Sequence, residues 1–404
     1  MLYKSGLFIW ILFSCASAFS QDSIGRQITP NTTIPQKDLI DILHSILYKN
    51  PPVRADSGYK QTTKLYVSPA PLIEYTVATD FVFGVDAIAA FNTSNSLPTN
   101  TSTFLGALKY TTKKQLLFPI QSTIWLPGNT FAIIGDWRYL NFPQDAFGYG
   151  TYTKLSDQYT IDYKYLRFYE TVLKNIGNNW YAGLGYQLDY HWNISEKGLP
   201  VGTVSDYQKY GFANSSTSSG ATFTLLYDTR QNPINPVVGN IFASIQLLKD
   251  ATWLGANSNY STLTLDLRRY IKMPWHTLLG FWCYGVFTLN GNPPYLDLAG
   301  AGLDSYNNTS RGYQQGRFVG KNMLALETEW RFNLSKNGLF GGVIFANTTT
   351  LSELASNRFE KLAPAIGAGL RVKFNKFSKT NIAIDYGIGT GGSKGYSGNL
   401  GEVF

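Results

Sequence analysis

The sequence has no long apolar run. Beyond its first twenty residues nothing approaches the roughly 18 uninterrupted apolar residues of a membrane-crossing helix, which excludes a bundle of such helices. Charge is scarce as well: Asp, Glu, Lys and Arg make up 15% of the 404 residues, against about 25% in ordinary soluble domains. Only 3 histidines are present, His44, His191 and His276, which excludes a histidine-rich metal site. Of the 2 cysteines, Cys15 lies in the N-terminal segment, and Cys283 alone forms no intramolecular disulfide. Runs of basic residues are missing too. The formal net charge is +8, but lysines and arginines are scattered singly, as on a solvated surface rather than a nucleic-acid footprint.

Aromatic side chains are what the sequence has in quantity. They form 15% of the chain, with 27 Tyr and 25 Phe, yet the mean hydropathy is only −0.13. That is too apolar for disorder and too polar for membrane helices. A membrane β-barrel satisfies both facts, because each strand gives only alternate side chains to lipid.

The N-terminus reads as a secretory signal over 1–20. Lys4 supplies the positive region, residues 7–13 the apolar core, and Ala18-Phe19-Ser20 a small-x-small cleavage site before Gln21. Cys15 raises a lipoprotein alternative, which Phe13 disfavours because such a signal prefers a smaller residue there. Residues 21–70 are a periplasmic segment. Within it Leu39, Ile42, Leu43, Ile46 and Leu47 recur at helical spacing after Pro35 and Asp38 and before Pro51-Pro52, which predicts one short amphipathic helix. Such a helix would plug a barrel, lie on the membrane surface or pack at the barrel mouth.

From residue 71 to 404 the period is two. Leu324, Leu326, Thr328, Trp330 and Phe332 alternate with Ala325, Glu327, Glu329 and Arg331. Leu263, Leu265 and Leu267 alternate with Thr264, Asp266 and Arg268, and Ile366, Ala368, Leu370, Val372 and Phe374 with Gly367, Gly369, Arg371 and Lys373. The pattern predicts an all-β chain, a closed antiparallel transmembrane barrel of about sixteen strands. The strands fall near 72–78, 81–91, 103–112, 115–125, 130–140, 158–172, 179–192, 220–230, 239–249, 260–271, 276–289, 321–333, 338–348, 361–374, 379–388 and 396–404.

Loop lengths give the orientation. With both ends in the periplasm, the connections 141–157, 193–219, 250–259, 290–320 and 349–360 fall outside and are long. Those at 126–129, 173–178, 272–275, 334–337 and 375–378 fall inside and are short, the usual asymmetry of outer-membrane barrels, with 92–102 as a longer exception. Phe404 would close the last strand against the first, since only closure removes exposed sheet edges in lipid.

Several motifs together resemble the BamA/TamA-type outer-membrane barrels, also called the bacterial surface antigen family. Arg311-Gly312-Tyr313 resembles the family's Arg-Gly-aromatic motif, and it falls in the sixth external connection. Asp228-Thr229-Arg230 followed by Pro236 and Gly239 resembles its periplasmic turn, and the ending Gly401-Glu402-Val403-Phe404 resembles its terminal-strand signal. The resemblance covers about residues 70–404 and implies a lock in which Arg311 folds inward to meet Glu329, with Glu327 beside it. It also implies a second acidic wall position, occupied here by Asn347, and periplasmic docking domains for which residues 21–70 have no room. The chain thus resembles a barrel-only member.

The expected function is non-enzymatic: insertion, export or organisation of envelope proteins in the outer membrane of a Gram-negative bacterium. Its partners would be outer-membrane lipid and client or envelope partner proteins, with no cofactor, metal or nucleic acid. The alternative is a passive pore or structural barrel. Further behind stands a barrel-borne hydrolase built on Asp189 and His191, which share an inward face but have no convincing nucleophile near them in sequence. The Asn-x-Ser/Thr triplets at Asn92, Asn308 and Asn347 read as chance occurrences in Asn/Ser/Thr-rich stretches.

Overall fold

Sixteen long strands carry the two-residue period, each antiparallel to the next, in one sheet. In chain order they are β1 (Tyr66–Thr76), β2 (Asp80–Phe91), β3 (Ser102–Thr111), β4 (Leu116–Trp125), β5 (Phe131–Asn141), β6 (Tyr159–Gly177), β7 (Trp180–Lys197) and β8 (Ser215–Asp228). Then come β9 (Ile241–Asp250), β10 (Tyr260–Met273), β11 (Thr277–Asn290), β12 (Asn322–Asn333), β13 (Phe340–Leu351), β14 (Ala363–Asn375), β15 (Thr380–Gly389) and β16 (Lys394–Leu400). The computed structural model describes residues 35–47, 63–76, 80–211, 213–230 and 232–404; the expected signal peptide 1–20 and much of the segment 21–70 lie outside the described residues.

The sheet is inside-out relative to a soluble protein. Its outer face exposes Phe223, Ile245, Leu247, Ile344, Ile366 and Ile384, whereas Arg138, Asp189, Glu329, Arg371 and Asp385 are buried on the inner face. Buried charge is tolerated only when paired. The inner face supplies those pairs, and the connection between β11 and β12 packs against it. That connection reaches strands far around the sheet: Ser305 O accepts from Arg138 on β5, Asp297 from Ser218 on β8, and Arg311 donates to Asp385 on β15. β1 and β16, the first and last strands, come near each other.

Several strand boundaries differ from expectation, and three of them have a cause in the local backbone or sequence. β1 starts at Tyr66, before the expected 72, because Pro69 and Pro71 make its first half look like a linker while Ser68 already points inward. Proline is admissible on a sheet edge. At the other end β16 stops at Leu400, so Phe404 is not part of the last strand: Gly401, at φ 109°, turns the chain off the sheet and inward. β8 also starts at Ser215, ahead of the expected 220, because its early inward positions are filled by Ser and Thr rather than by an apolar stripe.

The helix α1 (Leu39–Leu47) lies where helical spacing predicted one. Asp38 and Asp41 cap it reciprocally, with Asp41 N donating to Asp38 Oδ1 at 2.7 Å and Asp38 N to Asp41 Oδ2 at 3.2 Å. Asp38 also accepts from Lys376 N at 2.8 Å, and Lys37 N donates to Asn337 O at 3.1 Å, so the helix starts against the two short turns after β12 and β14. Leu43, Ile46 and Leu47 remain exposed.

Candidate functional site

The site is built from an alternation, a glycine and a turn. On β12 the inward parity carries Glu327, Glu329 and Arg331. Opposite them the β11–β12 connection folds in, held by its own turn: Asp304 Oδ1 accepts from Asn308 N at 2.9 Å and from Thr309 N at 2.7 Å. Gly312, at φ 97°, then lies flat on the inner face. A Cβ at Gly387 would sit 2.8 Å from Gly312 Cα, and one at Gly395 would sit 3.1 Å from it. Gly387 and Gly395 are cross-strand partners on β15 and β16, so two side-chain-free positions form the pad that admits the loop backbone. Tyr313 fixes the far side of the turn, its hydroxyl donating to Pro364 O at 2.7 Å and accepting from Thr390 N at 2.9 Å.

Arg311 is thereby placed among three carboxylates. Its Nε donates to Glu327 Oε1 at 3.0 Å, its Nη2 to Glu329 Oε2 at 2.5 Å, and its Nη1 to Asp385 Oδ2 at 2.8 Å. The guanidinium carbon lies 3.8 Å from the centroid of the Phe345 ring, a cation–π contact. Burial alone would lower the pKa of Arg311, but Glu327, Glu329 and Asp385 raise it well above the ordinary arginine value. The group is therefore a fixed cation.

The network extends beyond the residues that sequence reasoning names. Arg371 donates to Asp385 Oδ1 at 2.6 Å and to Glu402 Oε2 at 2.8 Å, while Arg331 donates to Glu329 Oε1 at 2.5 Å and to Phe404 O at 2.6 Å. Three guanidinium groups, Arg311, Arg331 and Arg371, thus face four carboxylates, Glu327, Glu329, Asp385 and Glu402. The position left without a carboxylate by Asn347 is compensated from another strand. Asn347 itself donates to Arg311 O at 2.8 Å and to Glu327 Oε2 at 3.2 Å, and Asp385 supplies the further acid. The inward parity of β15 was a signal for Asp385; nothing in the sequence paired it with Arg311.

Phe404 belongs to the same assembly. Its ring stacks on Trp282 at 5.3 Å and on Tyr270 at 6.3 Å, and Val403 O accepts from Asn308 of the long connection at 2.8 Å. The tail therefore ties the end of β16 to the loop and to the β10–β11 wall.

Asp228 ends β8, and Arg230, Pro236 and Gly239 lie on the connection between β8 and β9. Arg230 chelates Asp228 through Nε at 3.0 Å and Nη2 at 2.9 Å and lies over the Phe242 ring at 3.9 Å. Pro236 is buried, and Gly239, at φ 86°, donates its N–H to Tyr270 O at 2.9 Å. The same acid-x-Arg spacing recurs inward at Asp136–Arg138 and Asp266–Arg268. Residues two apart on a strand share a face, which makes each pair self-neutralising.

Asp189 and His191 are engaged by different groups. Asp189 accepts from the hydroxyls of Tyr165 and Tyr169, and His191 is stacked on the Tyr165 ring at 4.3 Å with Nδ1 3.6 Å from Asp297. They border an inner cavity of about 230 Å³ with Arg167, Gln187, Gln246 and Tyr284. No cluster of His, Cys, Asp and Glu suited to a metal is found among the described residues. Asn92, Asn308 and Asn347 are all buried, which leaves no room for a glycan.

The fold is that of known outer-membrane barrels. The chain superposes on BamA of Haemophilus ducreyi lacking POTRA domains 1–3 with a TM-score of 0.52 at 14% identity, over 84% of this chain and 70% of that one. It superposes on CdiB of Acinetobacter baumannii with a TM-score of 0.53 at 12% identity, over 84% of this chain and 60% of that one. For CdiB of Escherichia coli the TM-score is 0.54 at 9% identity, over 87% of this chain and 67% of that one. No family model and no curated protein matches the chain in sequence.

Proposed function

We propose that this chain is a closed outer-membrane barrel that inserts, exports or organises other envelope proteins, with Arg311 as the lock holding its sixth external loop inside. The observation that carries the reading is the convergence of loop, wall and tail on one buried network, on a fold shared with BamA and CdiB barrels. A lock of this kind ties the state of the loop to the end of β16, the strand beside the seam. A barrel that handles polypeptides needs such a seam, because an extended client segment adds to an exposed strand edge. Outer-membrane lipid would cover the exposed apolar face, and the client is another envelope protein.

The second reading is a passive pore or structural barrel. The inward loop disfavours conduction, since it fills the interior between β5 and β15. Depletion of the protein followed by an inventory of the outer membrane separates the two. Selective loss of other barrels or exported proteins is expected. An unchanged inventory with altered solute uptake would assign the chain to the pores, and open-channel conductance of the purified protein in planar bilayers would do the same.

A further inference from the structure

The seam between β1 and β16 can be read atom by atom from its neighbours. In an antiparallel ladder successive residues direct their N–H and C=O alternately to one neighbour and the other. Thr112 N donates to Phe81 O at 2.9 Å, so the odd residues of β2 address β3 and the even ones address β1. The register pairs Ser68 with Ile88 and Ala70 with Asp86. Hence the even residues of β1 address β2, and its odd residues, Pro69 and Pro71 among them, address the seam.

Proline has no N–H. Two successive seam-facing donors of β1 are therefore missing, and no strand, β16 or any other, can receive a hydrogen bond from them. In hydrocarbon this has a second effect: an edge without N–H groups leaves fewer orphaned donors when it is uncovered. The seam edge of β1 is both a poor template and a tolerable free edge.

A different element bridges the seam from within. The β8–β9 connection starts half-way round the sheet and crosses to the other side. There Asn232 Nδ2 donates to Ser378 O at 3.0 Å, Asn235 Nδ2 donates to Lys379 O at 3.2 Å, and Ile234 O accepts from Glu402 N at 2.9 Å. The Ile234 side chain packs with Ile88 and Ala90 of β2 on one flank of the seam and with Leu400 of β16 on the other. Gly401 is shaped to it: a Cβ there would lie 3.3 Å from Ile234 Cγ2.

We propose that Ile234 and its connection form a clasp that closes the β1–β16 seam from inside, in place of the strand pairing that Pro69 and Pro71 forgo. Withdrawal of the clasp frees β16, so an incoming extended polypeptide segment pairs with β16 and not with the proline-bearing stretch of β1. The identity of that segment rests on the protein-handling reading; the clasp rests on geometry alone.

Amide hydrogen exchange on the full chain in lipid nanodiscs tests it. The pair Asn232→Ala and Asn235→Ala removes the two side-chain ties of the clasp without touching either seam strand. Exchange over 394–400 is expected to accelerate about tenfold, the equivalent of one to two hydrogen bonds of ordinary net strength, while β6 stays protected. Unchanged exchange over 394–400 in a folded variant would overturn the proposal. Should that variant not fold, the pair Pro69→Val and Pro71→Val carries the test: restored donors are expected to slow exchange over 394–400, and no slowing would overturn it. Neither measurement depends on the depletion inventory, so the clasp and the protein-handling reading can fail separately.

Discussion

Arg311 and Asp385 meet at 2.8 Å although 74 residues of chain separate them, one on the connection between β11 and β12 and the other on the next-to-last strand. Through that contact, and through Arg371 between Asp385 and Glu402, the loop and the chain end share one charge network. Removing a central cation from such a network is costly, because each carboxylate left behind is buried.

Arg311→Ala should therefore destabilise the barrel by about 3–5 kcal/mol, the range for breaking a buried pair by removing one partner. Arg311→Lys should recover only part of this, since one ammonium cannot address three carboxylates through a planar fork. The loss of the compact band on unheated gels along a temperature series measures both.

Gly312→Ala and Gly387→Ala should each destabilise by about 1–3 kcal/mol, as overpacking does. At Gly312 the new Cβ meets Ala365 Cβ at 2.9 Å in a left-handed backbone, and at Gly387 it meets Gly312 Cα at 2.8 Å. Because both disturb one contact, the double variant should fall short of the sum of the two. Urea unfolding followed by tryptophan fluorescence gives all three values.

Phe404→Ala should cost about 3–5 kcal/mol, typical of emptying a buried aromatic site. The ring stacks on Trp282, so the variant should also shift that indole's emission. Refolding of purified protein into detergent separates this loss from any role of Phe404 as an assembly signal: normal stability with failed assembly in cells would leave only the signal role.

The buried Asp297 makes stability pH-dependent. Burial, followed by the charge of Asp189, pushes its carboxyl well above the ordinary 3.8. A group with a raised native value binds its proton more tightly when folded, so its contribution is complete below 3.8 and is lost as pH rises through the native value. Asp297→Asn should stabilise the barrel at pH above that value and bring no gain in acid, and thermal unfolding across a pH series would show the difference closing towards the acid end. A constant difference at all pH values would place the effect elsewhere.

How much of this was legible depends on range along the chain. Glu327, Glu329 and Arg331 could be assigned to the inward face of β12 from parity alone, since side chains alternate strictly along a strand. The resemblance of Arg311-Gly312-Tyr313 to a known loop motif added the candidate partner of those acids. Asp385 and Glu402 were missed because parity says which face a residue takes and nothing about which distant residue shares it. Asn347 looked like a missing acid and is instead a donor to both Arg311 and Glu327. Phe404 misled for a local reason: an aromatic after a short alternating run reads as strand, and only the backbone at Gly401 reveals the turn.

By itself the sequence determined the strand period, the inside-out distribution of charge and the loop asymmetry, all of which follow from neighbouring residues and the two-residue repeat. The tertiary structure decided which strands the long loop touches, the inward course of the tail and the crossing of Ile234 to the seam. Those contacts join residues far apart in sequence, and they form only once the curved sheet has brought its inner faces within hydrogen-bonding distance of the same loop.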